Sequence, residues 1–108
     1  MQTDIDQRPA PAPAPRQDPK LARHLDQILK QSSLTAVFQP IVCMREGKIH
    51  GYEGLVRGPA DSPLHAPDNL FRVASQSGRL VELEKASRQV VMRSFAALNL
   101  PAKLFLNV

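Results

Sequence analysis

Proline and alanine alternate near the N-terminus, and this alternation limits how much of the chain can fold. Residues 8–16 read Arg-Pro-Ala-Pro-Ala-Pro-Ala-Pro-Arg. Proline has no amide hydrogen and a fixed φ, so such a segment favours extended polyproline II over a packed core. We predict that residues 1–18 form a disordered Pro/Ala-rich arm that acts as a spacer. Docking to a proline-recognising domain is the alternative interpretation.

Composition excludes several classes of protein. The 108 residues are enough for one small domain. The net charge is +4, but the basic residues are scattered, and one Tyr, four Phe and no Trp leave few rings for stacking on bases. We therefore predict no binding to a nucleic-acid polymer. No apolar run approaches the roughly 20 residues that cross a bilayer, and the N-terminus lacks a signal-peptide pattern, so we expect a cytoplasmic protein with no membrane span.

Cys43 is the only cysteine, which rules out an intrachain disulfide and a cysteine-based metal cluster. The residue lies in an apolar run, where a buried and inert thiol is the expected state. A lone thiol also suits a reducing compartment.

The first folded element predicted after the arm is an amphipathic helix over residues 19–33. Asp18 precedes Pro19, a pair typical of a helix N-cap and first helical position. Apolar side chains then recur at helical spacing, at Leu21, Leu25, Ile28 and Leu29. Such a stripe packs either on the domain or against another helix, and the sequence leaves both open.

The rest of the chain predicts a mixed α/β arrangement. Apolar runs over 34–44 and 49–56 flank a polar turn, as in a β-hairpin. Helices are expected from Pro67 and from near Val81, and residues 103–108 read as a buried parallel strand. The order hairpin, helix, helix, strand is the opening of a βα-type fold.

Two polar residues in predicted strands, Glu53 and Asn107, are candidate functional residues. Strand alternation places Glu53, Leu55 and Arg57 on one face and Gly54 on the other. A structural Glu53–Arg57 ion pair is one interpretation, and a functional carboxylate is the other. Asn107 lies near the end of the last strand, where it either turns the chain or ligates a hard cation such as Mg²⁺ or Mn²⁺.

Several motifs together resemble one family. Residues 38–42 read Phe-Gln-Pro-Ile-Val, and residues 51–57 read Gly-Tyr-Glu-Gly-Leu-Val-Arg. With residues 77–81 and 104–108, they resemble in order and spacing the EAL domain family, the bacterial phosphodiesterases of the second messenger cyclic di-GMP. The resemblance covers about residues 34–108 and implies the opening segment of a TIM-type (β/α)8 barrel. The family's signature triplet reads Glu-Gly-Leu here, with glycine in place of alanine.

The resemblance also implies roles for individual residues. Glu53 and Asn107 match metal-binding positions, and the complete family site holds two ions, Mg²⁺ or Mn²⁺. Arg57 matches the arginine that pairs with a substrate phosphate, which suits the bidentate geometry of a guanidinium. Gln39 and Leu55 match positions that contact the bound cyclic di-GMP. The family's further Glu, Asp and Lys residues come from later strands and have no match in this sequence.

These matches lead to a main hypothesis and two alternatives. The main hypothesis is that residues 34–108 are the truncated N-terminal part of an EAL domain. Its complete form would hydrolyse cyclic di-GMP to the linear dinucleotide, whereas this chain would itself be inactive. The first alternative is a non-catalytic, degenerate EAL module that binds cyclic di-GMP or a protein partner. The second is an interaction module built from residues 1–33. A homodimer and an upstream sensor or diguanylate cyclase (GGDEF) domain are the further partners that the resemblance implies.

Overall fold

The computed structural model describes residues 18–106, which form three helices packed on a three-stranded sheet. The elements in chain order are α1 Pro19–Gln31, β1 Thr35–Cys43, β2 Lys48–Arg57, α2 Pro67–Gln76, α3 Leu80–Leu98 and β3 Lys103–Leu106. This confirms a mixed α/β chain with the predicted order of hairpin, helix, helix and strand. Apart from Asp18, the predicted arm over 1–18 lies outside the described residues, as does the candidate ligand Asn107.

Helix α1 begins as its sequence predicts and packs on the domain. The Asp18 carboxylate accepts a hydrogen bond from the Lys20 amide at 2.9 Å, and Pro19 occupies the first turn. Leu25 and Ile28 are buried in the same core as residues of α2 and α3. The helix ends at Ser32, which is in the left-handed conformation. Of the two arrangements that the apolar stripe allowed, the structure has the one within the domain.

The sheet has the order β1-β2-β3, with β2 in the centre. β1 and β2 are antiparallel, and Gly47 adopts a positive φ of 62° in the turn that joins them. The pairing shifts register after Ile41, where β2 carries one extra residue, His50. β3 runs parallel to β2 on its other side, and α2 and α3 form the crossover between these two strands.

The core lies between the helices and the sheet. Its buried apolar residues are Leu25, Ile28, Leu34, Val56, Leu64, Leu70, Val73, Ala74 and Leu83. α3 contacts all three strands, whereas α1 packs mainly on α2. Within residues 18–106, none of the helices combines the length and the apolar character that crossing a bilayer requires.

The loop between β2 and α2 is closed by a reciprocal pair of contacts. The Gly58 amide donates to the His65 carbonyl oxygen at 3.0 Å, and His65 Nδ1 lies 2.9 Å from the Gly58 carbonyl oxygen. The loop thereby holds Leu64 in the core with no exposed surface. His65, an exposed loop residue, thus has a structural contact.

Burial differs from prediction at two positions of the sheet. Residues 103–106 form the expected parallel strand, but exposed and half-buried residues alternate along it, and Phe105 is 38% exposed. The prediction of a buried strand was wrong because, among the described residues, the helices cover only one face of the sheet. Cys43 is half-buried rather than buried, since it ends the edge strand β1.

Arg79 joins α1 to the start of α3 through two carboxylates. Its Nη1 donates to Asp26 Oδ1 at 2.8 Å, while Nε and Nη2 donate to the two Glu82 oxygens at 3.0 and 2.8 Å. Lys30 also pairs with Asp26, at 3.1 Å. These hydrogen bonds, above all those from Arg79, lower the pKa of Asp26, and the Arg79 guanidinium lowers the pKa of Glu82.

Gly58→Ala is expected to destabilise the protein by about 1–3 kcal/mol through overpacking. A β-carbon at Gly58 would collide with the Leu64 carbonyl oxygen and would lie 2.9 Å from its carbonyl carbon. Urea denaturation, followed by circular dichroism, measures the change in the free energy of unfolding. Asp61→Ala, at an exposed position of the same loop, is the control and should stay within about 0.5 kcal/mol of the parent. Equal stability of the two variants would contradict the close contact.

The Arg79 cluster predicts a loss of stability in acid. The pKa values of Asp26 and Glu82 are lowered in the folded state, so the two ionised carboxylates contribute to the free energy of unfolding above the ordinary carboxyl pKa of about 4. This contribution is lost as the pH falls from that value through the lowered pKa values of the folded state, where the carboxylates become protonated. Arg79→Gln should therefore flatten the fall in the urea midpoint between pH 5 and pH 2. Arg72→Gln, at an exposed position on α2, should keep the parent's slope, and identical slopes in all three proteins would contradict the assignment.

Candidate functional site

The pairing of β1 with β2 brings four predicted site residues onto one face of the sheet. Glu53, Leu55 and Arg57 alternate along β2, and Gln39 on β1 lies directly opposite Glu53. Side chains of directly opposed residues point to the same side of a sheet. The helices pack on the other face, where Gly54 lies against Val91 of α3. The four candidates therefore share the face that the helices leave uncovered.

Glu53 lies between residues of both neighbouring strands. Its direct partners are Gln39 on β1 and Phe105 on β3. The Glu53 side chain is half-buried, while Gln39 is exposed. The Phe105 ring also stacks on His50, with the ring centroids 5.7 Å apart. One carboxylate is thus flanked by an amide on one side and an aromatic ring on the other.

The structural ion pair that was one interpretation of Glu53 and Arg57 does not form within the described part of the chain. Residues four apart on a strand are separated by roughly 13 Å along its axis, because each residue advances about 3.3 Å. Arg57 instead donates from Nη1 to the Val56 carbonyl oxygen at 3.1 Å. The carboxylate and the guanidinium therefore occupy separate places along β2, each with room for its own partner.

The oxygen atoms on this face are of the types that bind a hard divalent cation. Carboxylate and amide oxygens are the ligands that Mg²⁺ and Mn²⁺ prefer, and Glu53 and Gln39 supply one of each. Residues 18–106 contain no group of three or more His, Cys, Asp or Glu side chains placed to hold a metal ion. Glu53 thus fits as a single ligand of a larger set. The second predicted ligand, Asn107, lies outside the described residues.

A cavity of about 590 Å³ opens at the carboxyl end of β2, beside Leu55 and Arg57. Its apolar walls come from the sheet and from α2 and α3, at Val56, Pro67, Phe71, Val91 and Leu106. Its charged lining is Arg57, Asp68, Glu84 and Arg88. This volume is in the range of small-molecule sites. Because α2 and α3 form part of its wall, the cavity lies on the side of the sheet that the helices cover, and of the predicted site residues Leu55 and Arg57 line it whereas Gln39 and Glu53 do not.

Several residues of this cavity were not predicted to have a role. The charged members of the lining lie at exposed positions on α2 and α3, at Asp68, Glu84 and Arg88. Nothing in the sequence distinguishes them from other charged residues on the surface of a helix. The sequence signals toward this region were Pro67 and Phe71 of α2, which also match the family and which line the cavity. The Ser87 hydroxyl, also in the lining, is buried and lacks a hydrogen-bond partner among the described residues.

The chain matches no protein-family model, no curated protein and no solved structure. The likeness to the EAL family therefore rests on the motifs and on the arrangement of their residues, and membership is a proposal.

Proposed function

We propose that residues 34–108 are the N-terminal part of an EAL domain and supply part of a site for cyclic di-GMP. The observation that carries the proposal is the register of β1 on β2, which sets Gln39 directly opposite Glu53. These two residues come from separate motifs of the family. Their meeting on one face, in line with Leu55 and Arg57, is what a shared ligand would require.

Three residues of this face would each contact a different group of the cyclic dinucleotide. Arg57 presents a guanidinium at the carboxyl end of β2, where its planar donors suit the two oxygens of a phosphodiester. Leu55 offers an apolar side chain between Arg57 and Glu53 that suits the flat surface of a base. Gln39 carries both a donor and an acceptor, as recognition of a base or a ribose requires.

Glu53 would hold one of the two metal ions that the resemblance implies, with Asn107 as a further ligand. Such ions, Mg²⁺ or Mn²⁺, lower the pKa of a bound water and stabilise charge on phosphate oxygens. Glu53 itself contributes a negative charge on a strand held between two neighbours. This pairing fixes the backbone at Glu53 before any ligand arrives.

The remaining parts of the proposal come from the resemblance. The sheet and its crossover helices would be the start of a TIM-type barrel, and hydrolysis to the linear dinucleotide would belong to the complete domain. A cytoplasmic location, a homodimer and an upstream sensor or GGDEF domain are proposed on the same basis.

Arg57→Ala is expected to weaken the binding of cyclic di-GMP by roughly 10- to 100-fold, the loss that follows from removing charge-assisted hydrogen bonds to a phosphate. Isothermal titration of the chain with cyclic di-GMP, in Ca²⁺ to suppress turnover, measures the effect. Arg23→Ala, at an exposed position on α1 far along the chain from the site, is the matched control and should bind as the parent does.

The outcomes separate the hypotheses. Equal affinity of the Arg57 and Arg23 variants would contradict the role of Arg57, and a folded parent that gives no binding heat would contradict the proposal for this chain. The same protein incubated with cyclic di-GMP and Mg²⁺ tests catalysis. Binding without the linear product is the result expected of a chain that supplies only part of the site, whereas formation of that product would contradict the expected inactivity and assign hydrolysis to the chain itself.

Glu53→Gln tests the metal ligand separately from the nucleotide. The amide keeps the shape of the side chain but loses its charge, so we expect at least about tenfold weaker binding of Mn²⁺. Titration with Mn²⁺, followed by electron paramagnetic resonance, measures the free ion directly. Glu46→Gln, in the exposed turn of the hairpin, should leave Mn²⁺ binding unchanged. Parental Mn²⁺ affinity in Glu53→Gln would exclude Glu53 as a ligand.

A further inference from the structure

The glycine in the signature triplet is in direct contact with a side chain of α3. A β-carbon built on Gly54 would collide with Cγ1 of Val91, and it would lie 3.4 Å from Phe38 Cε1 and 3.5 Å from Leu104 Cδ1. Val91 is only 4% exposed. Its methyl group therefore occupies the space that the side chain of an alanine at position 54 would need.

Aromatic contacts fix the same helix on the same two strands. The Phe95 ring of α3 lies 5.5 Å from the ring of Phe38 on β1 and 6.2 Å from the ring of Tyr52 on β2. Phe38 is the direct partner of Gly54 across the two strands. With α3 held on both strands by Phe95, one helical turn from Val91, Val91 has little freedom to move away from an added methyl group.

We propose that Gly54 and Val91 are a matched pair of positioning residues, which set the distance between β2 and α3 and thereby the place of Glu53 and Leu55. Glu53 and Leu55 are bonded to Gly54 on either side, so a displacement of the strand at this point moves both. The proposal rests on the proposed function for what these two residues bind. The glycine in the signature triplet thus leaves space for the Val91 side chain, and the residues of the binding face are unchanged by it.

A double-mutant cycle on the full chain tests the pair. Glycine is intrinsically less favourable than alanine within a strand, so Gly54→Ala would raise stability if position 54 had room. We expect instead that it lowers the melting temperature by about 5–15 °C, because overpacking outweighs that gain. Val91→Ala should also lower it by leaving a cavity. The double variant should be more stable than the sum of the two losses predicts.

Val90→Ala provides the matched control for the cycle. Val90 is the neighbouring valine of α3 and packs on the core, but it is not among the three residues nearest to a β-carbon at position 54. The losses of Gly54→Ala and Val90→Ala should therefore add. Additive losses for Gly54→Ala and Val91→Ala would overturn the matched pair.

Two readouts test positioning apart from stability. The amide chemical shifts of Gln39 and Phe105, which pair with Glu53 but are not neighbours of position 54 in the chain, should change in Gly54→Ala and return toward the parent's values in the Gly54→Ala/Val91→Ala variant. The affinity for cyclic di-GMP in Ca²⁺ should fall by about tenfold or more in Gly54→Ala, as expected for a displaced binding group, and recover with the same double variant.

These readouts also separate this inference from the proposed function. If the Gly54→Ala/Val91→Ala variant recovers the melting temperature but not the chemical shifts, Gly54 and Val91 form a packing contact only, and their positioning role is overturned. Absence of cyclic di-GMP binding in the parent, with the shifts behaving as expected, would overturn the proposed function and leave the positioning of β2 by Val91 supported.

Discussion

The packing of α3 against one face of β2 is the constraint on which the rest of the described structure depends. β2 pairs with both other strands, so its position sets theirs. Val91 meets it at Gly54, and Phe95 contacts aromatic rings on β1 and β2. Because the helices cover only this face among residues 18–106, the opposite face holds Gln39 and Glu53 within reach of a ligand.

Helix α1 belongs to the same core, although the family resemblance begins after it. Leu25 and Ile28 are about as well buried as the core residues of α2 and α3, and Arg79 links Asp26 to the start of α3. A domain of this size has few apolar residues with which to form a core. A partner that used the apolar face of α1 would first have to separate it from the domain, which disfavours an interaction module built from residues 1–33.

The candidate site combines a rigid support with an open surface. Its four side chains lie on paired strands rather than on loops, so their relative positions are determined by backbone hydrogen bonds. Arg57 borders the cavity at the end of β2, whereas Glu53 lies farther back along the strand. Of these two charged residues, therefore, only Arg57 borders the cavity.

Local features of the structure could be predicted from the sequence. The Asp18-Pro19 cap, the turn at Gly47 and the alternation of Glu53, Leu55 and Arg57 each depend on residues that are neighbours in the chain. The helical spacing of Leu25 and Ile28 predicted which face of α1 would be buried. In these cases short-range sterics and side-chain periodicity are sufficient.

Other features depend on contacts between distant parts of the chain. Asp26 is 53 residues from Arg79 in the chain, and nothing near Gly54 in the sequence indicates that Val91 lies against it. The partial exposure of β3 has the same origin, since an apolar run does not specify which of its faces will be covered. Local sequence patterns were therefore enough to predict the helices and strands and the residue types on each of their faces. The register of the strands and the helix that covers them could be learned only from the folded chain, because they depend on how all the elements pack together.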